Sequence, residues 1–384
     1  MARSGWRYLA TRLNGDGTET LIHPDLPIED VSIDKVLSGI NAISGKIVPG
    51  TPSLIGTDGR PLIRAWSTAI YAEADGSIRA GGIVTSPDPD GEILNIESVG
   101  FLGYSQDMAY TGSGYKGIEV DPIDCGRVIW SHIQSQPGGN IGLELDDTDT
   151  NGEVSIGTTV KQVEFDTQSG PVSFESGPWK LNWYTNHNLF GDFSSLASST
   201  PFDFIEEHSW NDDGTIKHFV RIGYPKLGRR RTDVKFTWGV NVFDPVSMSN
   251  DGSLYASSII VLGAGEGSSM IHAIREPVCH QPGDRLRRTA VVIDDSIKSR
   301  KRANARADQE WQWRRQLDDI NSVVVRDHPD APLGSVELGD EIRLLGRGDW
   351  SVLDMWVRVV SMNIDPTNGK VAEYGVVRTD KIAL

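Results

Sequence analysis

Glu206 and Glu207 are the residues best suited to bond-breaking chemistry, because Trp179, Trp183, His187 and Trp210 lie nearby in the chain and Asp192 supplies a third acid. Glycoside hydrolysis needs two carboxylates facing each other across one bond, one acting as acid and the other as base or nucleophile. The stretch from Phe202 to Trp210 alternates like a strand, however, and neighbours on a strand point to opposite faces. The pair therefore cannot close on one sugar, and the tryptophans read better as filling a domain core or a subunit contact. No catalytic residue is assigned.

Other motifs fall short in similar ways. Gly263-Ala-Gly-Glu-Gly267 follows an apolar run as a dinucleotide-binding turn would, but Ser268 to Ile274 reads as a returning strand. The phosphate-binding version needs a helix N-terminus there. Asp147-Thr-Asp-Thr-Asn-Gly152 opens like a calcium loop, yet the closing bidentate Glu would fall at Thr158, so it reads as an acidic turn. Eight histidines form no His-Glu-x-x-His pair, and Gly-x-Ser-x-Gly is absent. Cys125 and Cys279 are too few and too isolated for a disulfide framework or a zinc site, which fits a reducing cytoplasm. No metal and no cofactor is expected. Trp311, Trp313, Arg314 and Arg315 close a basic helical stretch, and Trp with Arg dominates protein-contact hot spots. Two readings stand for this stretch: a protein interface through those four residues, or a solvated helix face.

The elements that would position these groups are mainly short strands. The 384 residues exceed one core, and 41 glycines with 19 prolines mark many turns. Asp75-Gly76 and Asp90-Gly91 divide 68–102 into an antiparallel meander. Trp6 to Leu13 and Thr18 to Ile22 form a second hairpin. Asp121-Pro122 opens a helix that Pro137-Gly-Gly139 stops, and Trp179 to Leu196 suggests a helix-rich segment. Phe202–Trp210 and Lys217–Tyr224 form a hairpin, and Ser296 to Leu317 is predicted as a helix capped by Ser296. Strands return at 341–345, 354–362 and 371–377.

No run of about 18 apolar residues exists, so no membrane insertion is expected, and Met1 to Arg7 lacks the apolar stretch of a secretory signal. Net charge is −16, which argues against gripping nucleic acid through its phosphates. Between Arg285 and Arg315, ten Lys or Arg against four Asp or Glu leave +6, so the remainder carries −22.

The hairpin Asp75-Gly-Ser-Ile-Arg-Ala-Gly-Gly-Ile-Val84, followed by Glu97-Ser-Val-Gly-Phe-Leu-Gly-Tyr104, resembles the N-terminal barrel of siphophage tail-tip hub proteins, the minor tail proteins of phages of actinobacteria. Segments 121–130 with 138–142, 221–228 and 261–267 are similar to that family in the same order. The resemblance implies a mainly β, multi-domain protein with α/β insertions, in which two small antiparallel β-barrel hub domains flank α/β domains. The divisions would be 1–112 (N-terminal barrel), 113–200 (α/β insertion), 201–295 (second α/β domain with hairpins) and 296–384 (linker helix and C-terminal barrel). It further implies a non-enzymatic homotrimer at the distal tail tip of the virion, assembled in the host cytoplasm. Its partners would be a distal tail protein, the C-terminus of a tape-measure protein, and other tail-tip or fibre proteins. DNA would pass through without specific binding. A tail-associated glycan hydrolase and a host carbohydrate-binding module are the alternatives.

Overall fold

The computed structural model describes residues 5–381 apart from 49–53, 57–58, 160, 168–169, 201, 244–247, 251, 266, 268–269, 277–284, 295–296, 298, 316–317, 348–351 and 367–370. The N-terminal strands are β1 (Trp6–Leu13), β2 (Glu19–His23), β3 (Ile28–Val36), β4 (Ala42–Ile47), β5 (Thr68–Ala74), β6 (Ser77–Asp90) and β7 (Ile93–Val99). They pair antiparallel in the order β2-β1-β5-β6-β7-β4-β3. Asp75 and Gly76 both take positive φ, 52° and 75°, as a two-residue hairpin turn requires. Alternation puts Ile33, Ile43, Ile70, Ala72 and Val84 into one core with Leu26. The Leu26 N–H also donates to the Tyr8 carbonyl (2.6 Å), so the chain entering β3 returns to β1 at the far side of the curl.

The C-terminal module contains Arg230–Thr237, Ser322–Arg326, Glu341–Arg347, Val352–Ile364 and Val371–Arg378. Arg230–Thr237 lies parallel to Glu341–Arg347, which corrects the expectation of a purely antiparallel module. Parallel neighbours need a long crossover, and here it is a whole folded unit of about a hundred residues. Phe243 N–H to Val324 O (3.1 Å) and Arg326 N–H to Asn241 O (2.9 Å) carry the pairing onward past Ser322–Arg326. The two modules form one twelve-stranded sheet, joined where Ser361 to Ile364 pair with Val36 to Ile33. Among the described residues the pairing leaves each sheet open.

Between the modules, α1 (Pro122–Ser135) is capped by Asp121, whose carboxylate accepts from Ile123 N (2.8 Å), with Pro122 in the first turn. α2 (Leu189–Ser199) starts only where Asn188 caps it, and Trp179–Leu181 is a strand, so the helix-rich segment is shorter than expected. Asp203–Trp210 and Ile216–Gly223 form the predicted antiparallel hairpin, to which Leu143–Leu145 adds in parallel. The helices and hairpin share a core with the N-terminal sheet: Ile129, Trp130, Phe193, Phe204 and Val220 pack with Tyr71 and Phe101.

The basic helix is α3 (Arg300–Arg314), shorter than predicted at both ends and capped by Ser299. Ser296, the predicted cap, lies outside the described residues, as does Leu317. α3 buries Ala303 and Ala307 against Ser258–Leu262 and His272–Arg275, and Thr289–Ile293 completes that three-stranded sheet. His272–Arg275 returns antiparallel after the glycine turn, as a hairpin rather than a phosphate-binding loop.

Candidate functional site

The alternation of Asp203–Trp210 decides the fate of its acids. Glu206 turns inward and is 3 % exposed, while Glu207 turns outward to Arg221 (2.9 Å), which also meets Glu337 (3.1 Å). Two strand neighbours thus serve opposite faces, and the Glu206-Glu207 pair addresses no common substrate. The Glu206 carboxylate accepts the backbone N–H groups of Phe101 and Leu102, each at 2.8 Å, at the start of the short turn Phe101–Ser105. His208 Nε2 reaches the same carboxylate at 2.9 Å.

From there a buried polar chain crosses to the N-terminal sheet. The hairpin register sets His208 opposite His218, and their Nδ1 atoms are 2.9 Å apart. His218 Nε2 is 2.8 Å from Glu19 Oε1 of β2. Glu19 also accepts the hydroxyls of Tyr71 (2.6 Å) and Thr11 (2.7 Å). Burial alone would push the Glu19 carboxyl up, but His218, Tyr71 and Thr11 outweigh it and hold the group below its ordinary value. Burial pushes the His208 imidazole down and the Tyr71 phenol well up.

Glycines make the room for this chain. A Cβ at Gly81 would lie 2.8 Å from His208 Nε2 and 2.7 Å from the Tyr71 ring. One at Gly100 would lie 2.8 Å from the Glu206 carboxylate. These are the glycines of the Gly81-Gly82-Ile83-Val84 and Val99-Gly100-Phe101 patterns. The local signal for the site was therefore present in the glycines and in two polar residues, Glu206 and His208, on the inward face of one strand.

A cleft of about 850 Å³ opens beside Glu19, lined among others by Asp16, Asn140, Glu144, Trp210 and Lys217. Trp183 is exposed and makes a perpendicular contact with Tyr184 (5.5 Å), while Trp179 packs on Tyr115 (5.8 Å). His187 Nε2 lies 3.2 Å from the Trp183 carbonyl. Asp192 accepts from Asn186 Nδ2 (2.9 Å), and burial pushes its carboxyl up. In the acidic turn, Thr150 donates its N–H (2.8 Å) and its hydroxyl (2.5 Å) to Asp121, and Asp149 accepts from Asn151 N–H (2.7 Å), so these groups serve the turn itself. Among the described residues no cluster of three or more His, Cys, Asp or Glu side chains is disposed to hold a metal ion.

Trp311, Trp313, Arg314 and Arg315 come together at the end of α3. The Arg314 guanidinium lies over Trp313 (4.5 Å) and that of Arg315 over Trp311 (4.3 Å). Trp311 and Arg314 also bond within the unit. Trp311 donates its indole N–H to the Ser257 carbonyl (3.1 Å), and Arg314 pairs with Glu310 (2.7 Å), which Arg306 also meets (2.9 Å). Arg315 is exposed and Trp313 half-buried.

No family model matches the sequence, and no curated protein matches it. Solved structures do match the fold. A 43 kDa tail protein of prophage MuSo2 from Shewanella oneidensis superposes with a TM-score of 0.57 at 13% identity, covering 98% of this chain and 100% of that one. Prophage tail protein gp18 from Listeria monocytogenes gives 0.53 at 13% identity, over 98% and 95%. A chain of the half-lidded Francisella PdpA–VgrG complex gives 0.54 at 8% identity, over 98% of this chain and 58% of that one. The chain thus has, end to end, a fold seen in phage tail proteins.

Proposed function

We propose that this chain is a non-enzymatic structural protein of a phage tail, and that it acts at the distal tip as a homotrimeric hub of the siphophage type. The observation that carries the reading is the placement of two curled β modules at the two ends of the chain, fused into one sheet, in a fold that two prophage tail proteins share over nearly their whole length. Three copies would set six such modules, each closing into a small barrel, in a ring that continues a six-fold tail tube. A ring also covers strand edges that a lone subunit leaves unpaired.

Charge fits the same reading. DNA carries one negative charge per about 1.7 Å of its axis, so an acidic channel wall would let a genome slide without sticking. The −22 outside Arg285–Arg315 is available for such a wall, and the basic stretch ending in Trp313 and Arg315 for an acidic neighbour outside it. That neighbour would be the distal tail protein or a tip or fibre protein, with the tape-measure C-terminus in the lumen.

The test is the mass of the purified chain in solution together with its place in virions. The expected result is a particle of three times 42.1 kDa, and antibody label confined to the distal end of the tail. A monomer that is absent from virions and turns over cell-wall glycan would overturn the reading in favour of a hydrolase.

A further inference from the structure

The buried chain Glu206–His208–His218–Glu19 can be counted for hydrogens. It has three polar contacts, at 2.9, 2.9 and 2.8 Å. Two nitrogens, or a nitrogen and a carboxylate oxygen, approach that closely only with a hydrogen between them. Three contacts therefore need three hydrogens. Two neutral imidazoles bring one each, and two ionised carboxylates bring none. The third must be an additional proton. Shifting a hydrogen along the chain from ring to carboxylate changes its position and leaves the count unchanged.

We propose that His208 and His218, clamped between Glu206 and Glu19, form a binding site for one proton, and that the bound proton fastens the 203–223 hairpin to the N-terminal sheet. The surroundings suit a cation between two anions. The His218 ring stacks on Phe101 (centroids 4.2 Å, planes 22° apart), whose face attracts positive charge, and the Tyr71 ring lies beside both (5.8 Å from His218, 6.2 Å from Phe101). Each carboxylate has donors besides the imidazoles: Phe101 and Leu102 N–H for Glu206, Tyr71 and Thr11 hydroxyls for Glu19.

The other charged groups facing the pair are few. Lys35 of β3, Arg79 of β6, and Glu207 and Lys217 of the hairpin line a cavity of about 330 Å³ with His208 on its wall. Burial pushes the Lys35 ammonium down.

The sign of the pH dependence follows. The proposal requires the folded pair to keep the additional proton at neutral pH, so the proton's contribution is lost as pH rises and the pair releases it. A fourth proton would set two N–H groups against each other at the Nδ1 contact, so acid loosens the junction as well. Stability should peak between two arms, and the alkaline arm is the diagnostic one.

Two measurements test this on the full chain. Nitrogen-15 NMR of histidine-labelled protein at neutral pH should find three protonated ring nitrogens among the four of His208 and His218. Thermal melts across pH should lose the alkaline arm in His218→Gln and keep it in His187→Gln, which alters an exposed histidine. Two protonated ring nitrogens, with carbon-13 shifts showing both the Glu206 and Glu19 carboxylates ionised, would overturn the proposal. So would an alkaline arm unchanged in His218→Gln. Should that variant fail to fold, the wild-type nitrogen and carboxylate signals decide alone.

Discussion

Single residues in this protein are constrained most where backbone and buried charge meet. Gly81 and Gly100 have negative φ, so what they contribute is the missing side chain and not an unusual backbone shape. A methyl at either would press on His208, Tyr71 or the Glu206 carboxylate in a close-packed interior. Gly81→Ala and Gly100→Ala should each lose about 1–3 kcal/mol, as overpacked cores do, measured by denaturant titration. Gly76→Ala has open space around it but a φ of 75°, so its cost should come from the backbone and leave the histidine signals unchanged. Histidine NMR of the three variants separates the two causes: only the first two should move the resonances of His208 and His218.

Elements in this fold differ in how far local sequence determines them. Trp311 and Trp313 sit two apart on α3 and do different jobs. Trp311→Ala removes an indole packed on its own sheet and bonded to Ser257, and should cost about 3 kcal/mol in thermal or urea unfolding. Trp313→Ala and Arg315→Ala should leave stability within about 0.5 kcal/mol. If the end of α3 is an interface, both should weaken binding to tails lacking this protein by about tenfold, the loss expected of a moderate hot spot. Unchanged binding would return α3 to a solvated face. The hairpins at Asp75-Gly76 and 211–215 were legible because each turn and its two strands are contiguous, and α1 was legible from its Asp-Pro start. The pairing of Arg230–Thr237 with Glu341–Arg347 was not, since a register spanning about a hundred residues leaves no periodic trace in either strand. The His208–His218 contact was hidden for a related reason: each histidine is unremarkable alone, and only the hairpin register brings them together. The opposite facing of Glu206 and Glu207 was legible at the same level, because alternation along one strand sends neighbours apart.

At the scale of the whole molecule, three folded parts meet along one strand, which carries a buried arginine. Arg358, 5 % exposed, donates to the carbonyls of Leu227 (2.8 Å) and Gly339 (3.1 Å) and pairs with Asp203, whose carboxylate also accepts the Leu227 N–H (2.8 Å). The same strand, Val352–Ile364, carries the pairing to β3, where Asn363 donates to Asp34 (2.6 Å) and Ser32 (2.9 Å). One strand therefore ties the C-terminal module to both the N-terminal sheet and the central hairpin. With a shared core and a continuous sheet, the intact chain should unfold in a single calorimetric transition. Arg358→Met strips the charge that balances Asp203 and leaves two carbonyls without their donor, a loss of about 3–5 kcal/mol for a broken buried pair. Because the apolar cores on either side are untouched, that loss should appear as a split: the C-terminal module melting first and the N-terminal sheet, with its glutamate and histidine clasp, later. Asp203→Asn combined with Arg358→Met removes both charges and should recover part of the stability. A variant that melts in one step at an unchanged temperature would mean that the continuous sheet alone couples the two ends.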